Sequence, residues 1–285
     1  MQLLNQVAVV TGGANGIGRA LCRRFAAEQA RGVIVADLDF EAASAVAQEI
    51  GGLAIRCDVQ REVDIQALVA QAIERFGQID LFVSNAGITI SGGVEVPDTD
   101  WQRLWDVNVM AHVYAARAVL PGMLERGQGY LLHTSSAAGL LTEIGSAPYS
   151  VTKHAVVAFA EWLSVQYQKR GIKVSCLCPA GVSTDFLDMS DPVHQFLHMS
   201  SVTPEAVADC VIEGLAAEKF LLSPHPEVEE FFQFKAQRYD DWLRNFARVH
   251  EKMEKARAKG LERRSADPRE KSSHMNLPGE SPIAP

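Results

Sequence analysis

Two residues four apart, Tyr149 and Lys153, are the sharpest chemical signal in the chain. On a helix that spacing puts both on one face, with Cβ atoms about 5–6 Å apart. A free phenol, with a pKa of about 10, is a poor base at neutral pH, and a neighbouring ammonium favours the phenolate. Lys153 is therefore expected to lower the Tyr149 pKa so that the phenolate can take a proton from an alcohol. A serine pair, Ser135-Ser136, lies shortly before, at the end of an apolar run. A hydroxyl there would hold a substrate oxygen and steady the charge that develops on it. A second signal lies near the start, where Thr11-Gly12-Gly13-Ala14-Asn15-Gly16-Ile17-Gly18 joins the apolar run Val7–Thr11 to an amphipathic stretch. Glycines between a strand and a helix let the backbone approach a pyrophosphate at the positive end of the helix. Asp37 ends the next apolar run, where a carboxylate accepts hydrogen bonds from ribose hydroxyls and repels a 2′-phosphate. Leu38 and Asp39 follow it, and Asn15 is not basic, so these residues favour NAD(H) over NADP(H). Taken singly, each signal also fits a plain role, a surface pair for Tyr149 and Lys153 or a helix cap for Asp37.

The elements that must position these groups are legible as alternation. Val7–Thr11, Val33–Ala36, Leu53–Cys57, Leu81–Ser84, Tyr130–Thr134 and Lys173–Leu177 are near-continuous apolar runs, as strands covered on both faces should be. Amphipathic stretches separate them: Gly18–Gln29, Glu41–Glu49, Val63–Phe76, Trp101–Arg126 and Tyr149–Lys169. A last strand is expected at Phe220–Ser223, after a helix over Pro204–Ala217. The pattern implies right-handed crossovers and a doubly wound Rossmann-type parallel α/β sheet of about seven strands, helices on both faces.

The glycine spacing Thr11-Gly12-x-x-x-Gly16-x-Gly18 differs from the ordinary dinucleotide fingerprint and resembles that of the classical short-chain dehydrogenase/reductase family. Further blocks match that family in order: Asp58-Val59 after the third strand, Asn85-Ala86-Gly87 after the fourth, Asn108, Ser136 and Tyr149-x-x-x-Lys153. The resemblance covers about residues 1–224. It implies a catalytic set of Asn108, Ser136, Tyr149 and Lys153 and selects Ser136 over Ser135. It also implies that Asp58 contacts adenine, that Lys153 binds the nicotinamide ribose and that Asn108 holds a water completing a proton relay. Pro179-Ala180-Gly181-Val182-Ser183-Thr184 matches a family block in which Gly is usual where Ala180 stands. There the resemblance implies carboxamide contacts from Thr184 and the Val182 backbone. The implied cofactor-binding set is thus Thr11, Gly12, Asn15, Gly16, Ile17, Gly18, Asp37, Asp58, Val59, Asn85, Ala86, Gly87, Tyr149, Lys153, Pro179, Val182 and Thr184. The family's substrate-covering lid would fall at 185–201, a stretch with no Arg or Lys to pair a carboxylate or phosphate. With Ile88, Ile90, Leu141, Ile144 and Ala180 nearby, the expected substrate is a neutral apolar secondary alcohol or ketone.

Composition excludes several classes. The chain has 285 residues, 47% of them hydrophobic, and a net charge of −8, which argues against disorder and against a nucleic-acid binder. No apolar run is long enough for a membrane span. Five unclustered cysteines and no visible leader point to the cytoplasm. His194 and His198 lack a third ligand at metal spacing, Cys176 and Cys178 lack a second pair, and His154 points elsewhere on its helix, so no metal is expected. Glu227–Lys259 carries Phe231, Phe232, Phe234, Tyr239, Trp242 and Phe246 among charges, the mark of one or two helices with a buried face. That 225–264 extension is expected to dock near the lid or on a neighbouring subunit, with 265–285 a disordered tail. Residues 251–271 carry a local charge of +3, read as a solvated face. Val113, Ala116, Leu120, Val156, Phe159 and Leu163 exceed what one sheet face needs, so a homodimer or homotetramer is expected. Two other readings remain open at this level, a reductase of carrier-linked 3-oxoacyl thioesters and a non-catalytic dinucleotide sensor or scaffold.

Overall fold

The computed structural model describes residues 1–184 and 201–266. The lid with its His194 and His198, except Ser201, and most of the tail lie outside the described residues. Seven parallel strands form one sheet: β1 Val7–Thr11, β2 Gly32–Asp37, β3 Leu53–Arg56, β4 Leu81–Ser84, β5 Gly129–Thr134, β6 Ile172–Leu177 and β7 Leu221–Leu222. Their order, β3-β2-β1-β4-β5-β6-β7, reverses between β1 and β4. Ligands bind outside the carboxyl ends of strands at such a reversal.

Alternate residues of each strand enter two separate cores. Val7, Val9, Ile34 and Phe82 pack under one helical layer, α3 Glu62–Phe76, α5 Ala111–Arg126 and α7 Ala147–Tyr167. Ala8, Val10, Val33 and Val35 pack under the other, α1 Gly16–Ala27, α2 Phe40–Ile50 and α8 Pro204–Ala216. Burial on both faces explains why the strands are near-continuously apolar. The helices start where capping chemistry allows: Asp39, Ser146 and Thr203 accept from the N–H groups of Ala42, Tyr149 and Ala206.

The stretch expected as one helix over Trp101–Arg126 is three pieces. α4 Asp98–Trp105 passes into a π turn, Asp106–Met110, before α5 begins. Such a turn wedges one extra residue into a helix and is frequent at functional sites; here it holds Asn108, fully buried. Beyond β7 the extension forms α9 Pro226–Gln237 and α10 Tyr239–Ala266, and a four-residue helix, α6 Ala138–Leu141, follows β5. The residues expected at a subunit interface are mostly spent inside this chain: Ala116, Leu120, Val156 and Leu163 are buried in its own core. α7 instead exposes Val151, Trp162 and Val165.

Candidate active site

A cavity of about 1050 Å³ runs along the carboxyl ends of the strands. One end is built by the first loop. Gly12 has φ +63°, and a Cβ there would lie 2.9 Å from the Ala86 Cα. A Cβ on Gly18 would fall 2.0 Å from the Gly12 carbonyl oxygen, so neither position admits a side chain. Thr11 and Gly18 do not line the cavity. Thr11 Oγ1 instead accepts from the Asn85 and Ala86 amides, and Asn85 Nδ2 donates to the Thr11 carbonyl at 3.1 Å. Thr134 completes this lock by donating to Asn85 Oδ1 at 3.2 Å. Gly12, Asn15, Gly16, Ile17, Asp37, Asp58, Val59, Asn85, Ala86 and Gly87 do line it. Asp37 stands ready at the rim, its carboxylate fixed by the Ala14 amide at 3.0 Å and the Asp39 amide at 3.1 Å. Arg19, one turn beyond Asn15, also faces the cavity; the helical period from Asn15 could have flagged it.

The other end gathers the residues with proton chemistry. Tyr149 and Lys153 sit on the first turns of α7, the lysine Nζ 5.5 Å from the centre of the tyrosine ring. Lys153 donates to the Thr134 carbonyl at 3.2 Å. Geometry separates the serines. Ser135 Oγ is turned away, donating to the Lys153 carbonyl at 2.8 Å, while Ser136 hydrogen-bonds the Tyr149 hydroxyl. Asn108 does not line the cavity. Its Oδ1 accepts from the Ile88 amide, and its Nδ2 donates to the Ile88 carbonyl and to Thr152 Oγ1, tying the loop after β4 to the π turn and α7. With both Nδ2 hydrogens engaged, any water must be held by Oδ1 or the main chain.

With Lys153 alone beside it, the Tyr149 phenol is raised rather than lowered. Burial pushes the phenol well above its ordinary value, Glu143 adds to the rise, and the Ser136 hydrogen bond offsets part of it. Burial also pulls Lys153 down to about 8, so the lysine holds its charge only weakly. Burial penalises both charged forms, and their mutual attraction does not offset it. Without a further positive charge, Tyr149 is a neutral acid.

Pro179, Val182 and Thr184 line the loop after β6, with Ala180 where the family commonly has Gly. His225 pins that loop, accepting from the Ala180 amide at 3.2 Å and donating Nε2–H to the Gly181 carbonyl at 3.0 Å. Flanked by prolines and outside every motif, it left no signal in the sequence. Ile88, Leu141, Ile144 and Ala180 line the apolar end; Ile90 lies behind, packed against the cluster of Leu104, Ala138 and Tyr149. Arg103 of α4 also lines the cavity, a cation that no sequence motif marks. The extension docks on this chain's own cavity, through Phe231, Trp242, Phe246, Val249 and Met253. Among the described residues no three His, Cys, Asp or Glu side chains group as metal ligands; Cys176 and Cys178, their sulfurs 3.8 Å apart, are buried core thiols. His154 serves its own helix, Nδ1 bonded to the Ser150 carbonyl at 2.8 Å.

The model of the short chain dehydrogenases matches residues 6–193. This chain belongs to the short-chain dehydrogenase/reductase family. It is 36% identical over 231 residues to 1-deoxy-11-beta-hydroxypentalenate dehydrogenase of Streptomyces exfoliatus, covering 78% of this chain and 84% of that one. It is 34% identical over 191 residues to 3beta-hydroxysteroid dehydrogenase 2 of Eggerthella lenta, covering 64% and 73% of the two. A crystal structure of a short chain dehydrogenase/reductase from Burkholderia phymatum in complex with NAD aligns with a TM-score of 0.78 at 26% identity, over 84% of this chain and 96% of the other. As a member of this family the enzyme is an NAD(H)-dependent oxidoreductase acting on CH–OH groups. The side-chain-free glycine cradle and the fixed Asp37 carboxylate fit such a dinucleotide. Among the described residues no helix is long and apolar enough to cross a membrane.

Proposed function

We propose that this dehydrogenase interconverts a neutral, apolar secondary alcohol and its ketone with NAD(H), Tyr149 acting as base and acid. The observation that carries the reading is one cavity with Asp37 at one end and Ser136, Tyr149 and Lys153 at the other. The bound cofactor supplies a hydride acceptor that is positively charged when oxidised. In oxidation Tyr149 would first give up its phenol proton by way of Lys153, favoured by the positive charge of the oxidised cofactor. The alcohol then loses hydride from carbon and a proton from oxygen, and the Tyr149 phenolate takes that proton. Ser136 turns from Tyr149 to donate to the substrate oxygen, holding it in reach and stabilising its developing charge. Lys153, brought near 8, can pass a proton onward at working pH. Asn108 keeps α7 and the loop after β4 in register around it. In reduction the neutral phenol returns its proton to the ketone oxygen.

The apolar lining around Tyr149 supports an apolar substrate. Of two relatives, one is named for a 3β-hydroxysteroid, which is neutral, and one for a hydroxypentalenate, a carboxylate for which Arg103 would be the matching cation. Asp37 supports preference for NAD over NADP. Five free thiols support a reducing, cytoplasmic setting. The exposed Val151, Trp162 and Val165 of α7 support a homodimer or homotetramer built on that helix. Light scattering should return a mass above the 31.1 kDa of one chain, and a monomer at micromolar concentration removes that part. The decisive test of the mechanism is Tyr149→Phe, which keeps the ring and removes the hydroxyl. Alcohol oxidation should fall at least about a hundredfold while NAD affinity holds; near-native turnover refutes the mechanism.

A further inference from the structure

The cavity is larger than the roughly 300–1,000 Å³ of a single small-molecule pocket, at about 1050 Å³. It must hold the substrate as well as the dinucleotide. Its substrate end is walled by the two helices that follow β7. Phe231 of α9 and Trp242, Phe246, Val249 and Met253 of α10 face the cavity, with Asn245 and Glu227 as the polar groups among them. The rings brace one another: Trp242 stacks on Phe246 at 4.9 Å between centroids and meets Phe231 at 6.1 Å. Trp242 and Val228 belong to the same apolar core as Leu140 and Leu141 beside the catalytic serine.

Two polar ties hold this wall at a fixed distance from the chemistry. Lys235, 7% exposed, donates from Nζ to the Leu140 carbonyl at 2.6 Å, fastening α9 to α6 four residues beyond Ser136. His225, at the N-terminus of α9, grips the loop after β6. The wall is therefore fixed to both sides of the catalytic group. A fixed aromatic surface discriminates by the apolar area a ligand lays against it, and a small flexible alcohol has little to offer.

We propose that α9 and α10 form the specificity wall of this enzyme, selecting secondary alcohols on a bulky, rigid carbocyclic frame over short open-chain ones. The inference rests on the alcohol–ketone reading above and adds the substrate class. Phe231 and Phe246 contact the substrate frame; Lys235 is a positioning residue that acts through the helix it anchors.

The test compares kcat/KM for trans-2-decalol and 2-butanol in the unmodified enzyme, Phe231→Ala, Phe246→Ala, Val249→Trp and the control Leu243→Ala. The unmodified enzyme should prefer decalol. Each phenylalanine variant should cut the decalol-to-butanol ratio by about tenfold or more, mostly through KM. Val249→Trp should cut it by filling the space. Leu243 is half exposed and outside the cavity lining, so Leu243→Ala should leave the ratio within about twofold of the original, given how little surface substitutions usually matter. Phe231 is also half exposed, so its truncation leaves the fold testable if Phe246→Ala proves unstable. A preference for butanol, or an unchanged ratio in folded Phe231→Ala and Val249→Trp, overturns the wall. If neither alcohol turns over, the alcohol–ketone reading fails, and calorimetry of 2-decalone with enzyme and NADH judges the wall separately. Weaker ketone binding in the variants then supports it, and equal binding overturns it.

Discussion

The two ends of the cavity are held by different physics. At the nucleotide end, backbone meets backbone: Gly12 lies against Ala86, Gly18 against Gly12, and Thr11, Asn85 and Thr134 lace three strand ends together. Almost any side chain added there collides with main chain, so few residue types can stand at each position. At the substrate end, side chain meets side chain: Phe231, Trp242 and Phe246 pack ring on ring, and Trp242 and Phe246 join the same apolar core as Leu140 and Leu141. Apolar packing of that kind tolerates many residues of similar volume. The first end is thus fixed to one ligand chemistry, whereas the second can be reshaped without disturbing the first.

The largest effect that bears on this contrast comes from Asp37. Its carboxylate both faces the cavity rim and holds the Ala14 amide. Asp37→Ala should remove the repulsion of a 2′-phosphate and narrow the preference for NAD over NADP by about a hundredfold, since juxtaposed like charges cost a few kcal/mol. Steady-state kinetics with both cofactors measures this. KM for NAD should rise as the loop loses its tie, whereas the choice among alcohols should stay put. An unmodified enzyme that already prefers NADP, or a variant whose alcohol preference shifts as much as its cofactor preference, breaks the separation between the ends.

The same contrast explains what could be read before the structure was in view. The sheet was legible because strands buried on both faces must be apolar throughout. The glycine loop, Asp37, Tyr149 and Lys153 stood out because close approach or proton chemistry confines each to one or two residue types, whereas only the family resemblance separated Ser136 from Ser135. The π turn at Asp106–Met110 was not legible, since Trp101–Arg126 has the composition of an unbroken helix. Nor was the net sign of the Tyr149 shift: spacing reveals the neighbouring ammonium but not the burial that outweighs it. Assigning Ala116, Val156 and Leu163 to a subunit interface failed for a related reason, because a pattern counts apolar positions without saying which layer already claims them. The aromatic spacing of the extension revealed a buried face, but only the fold could supply the surface it covers.

A smaller effect tests whether the two ends share one foundation. His112 of α5 and His133 of β5 are fully buried, their Nδ1 atoms 2.9 Å apart and their rings stacked at 5.2 Å. One Nδ1 must donate and the other accept, so at most one ring can be charged, and neither Nε2 has a partner among the described residues. Burial holds His133 at about 4 and His112 well below its usual value, the latter pushed further by His133 and Lys153. Both folded values lie below the unfolded 6.5, so the unfolded chain binds the extra protons. The resulting stability is fully present above pH 6.5 and is lost as pH falls from there toward 4. Each histidine should contribute a slope of about 1.4 kcal/mol per pH unit, read from denaturant midpoints at pH 7, 6 and 5. Replacing both by Leu removes donor and acceptor together, which can be nearly neutral at pH 7, and should flatten that slope. His133 belongs to the central sheet itself, one residue from the Thr134 that both locks Asn85 and receives Lys153. Acid should therefore release NAD and decalone with one shared midpoint. An acid slope as steep in the double variant as in the original, or two separated midpoints, would show that the ends stand on different supports.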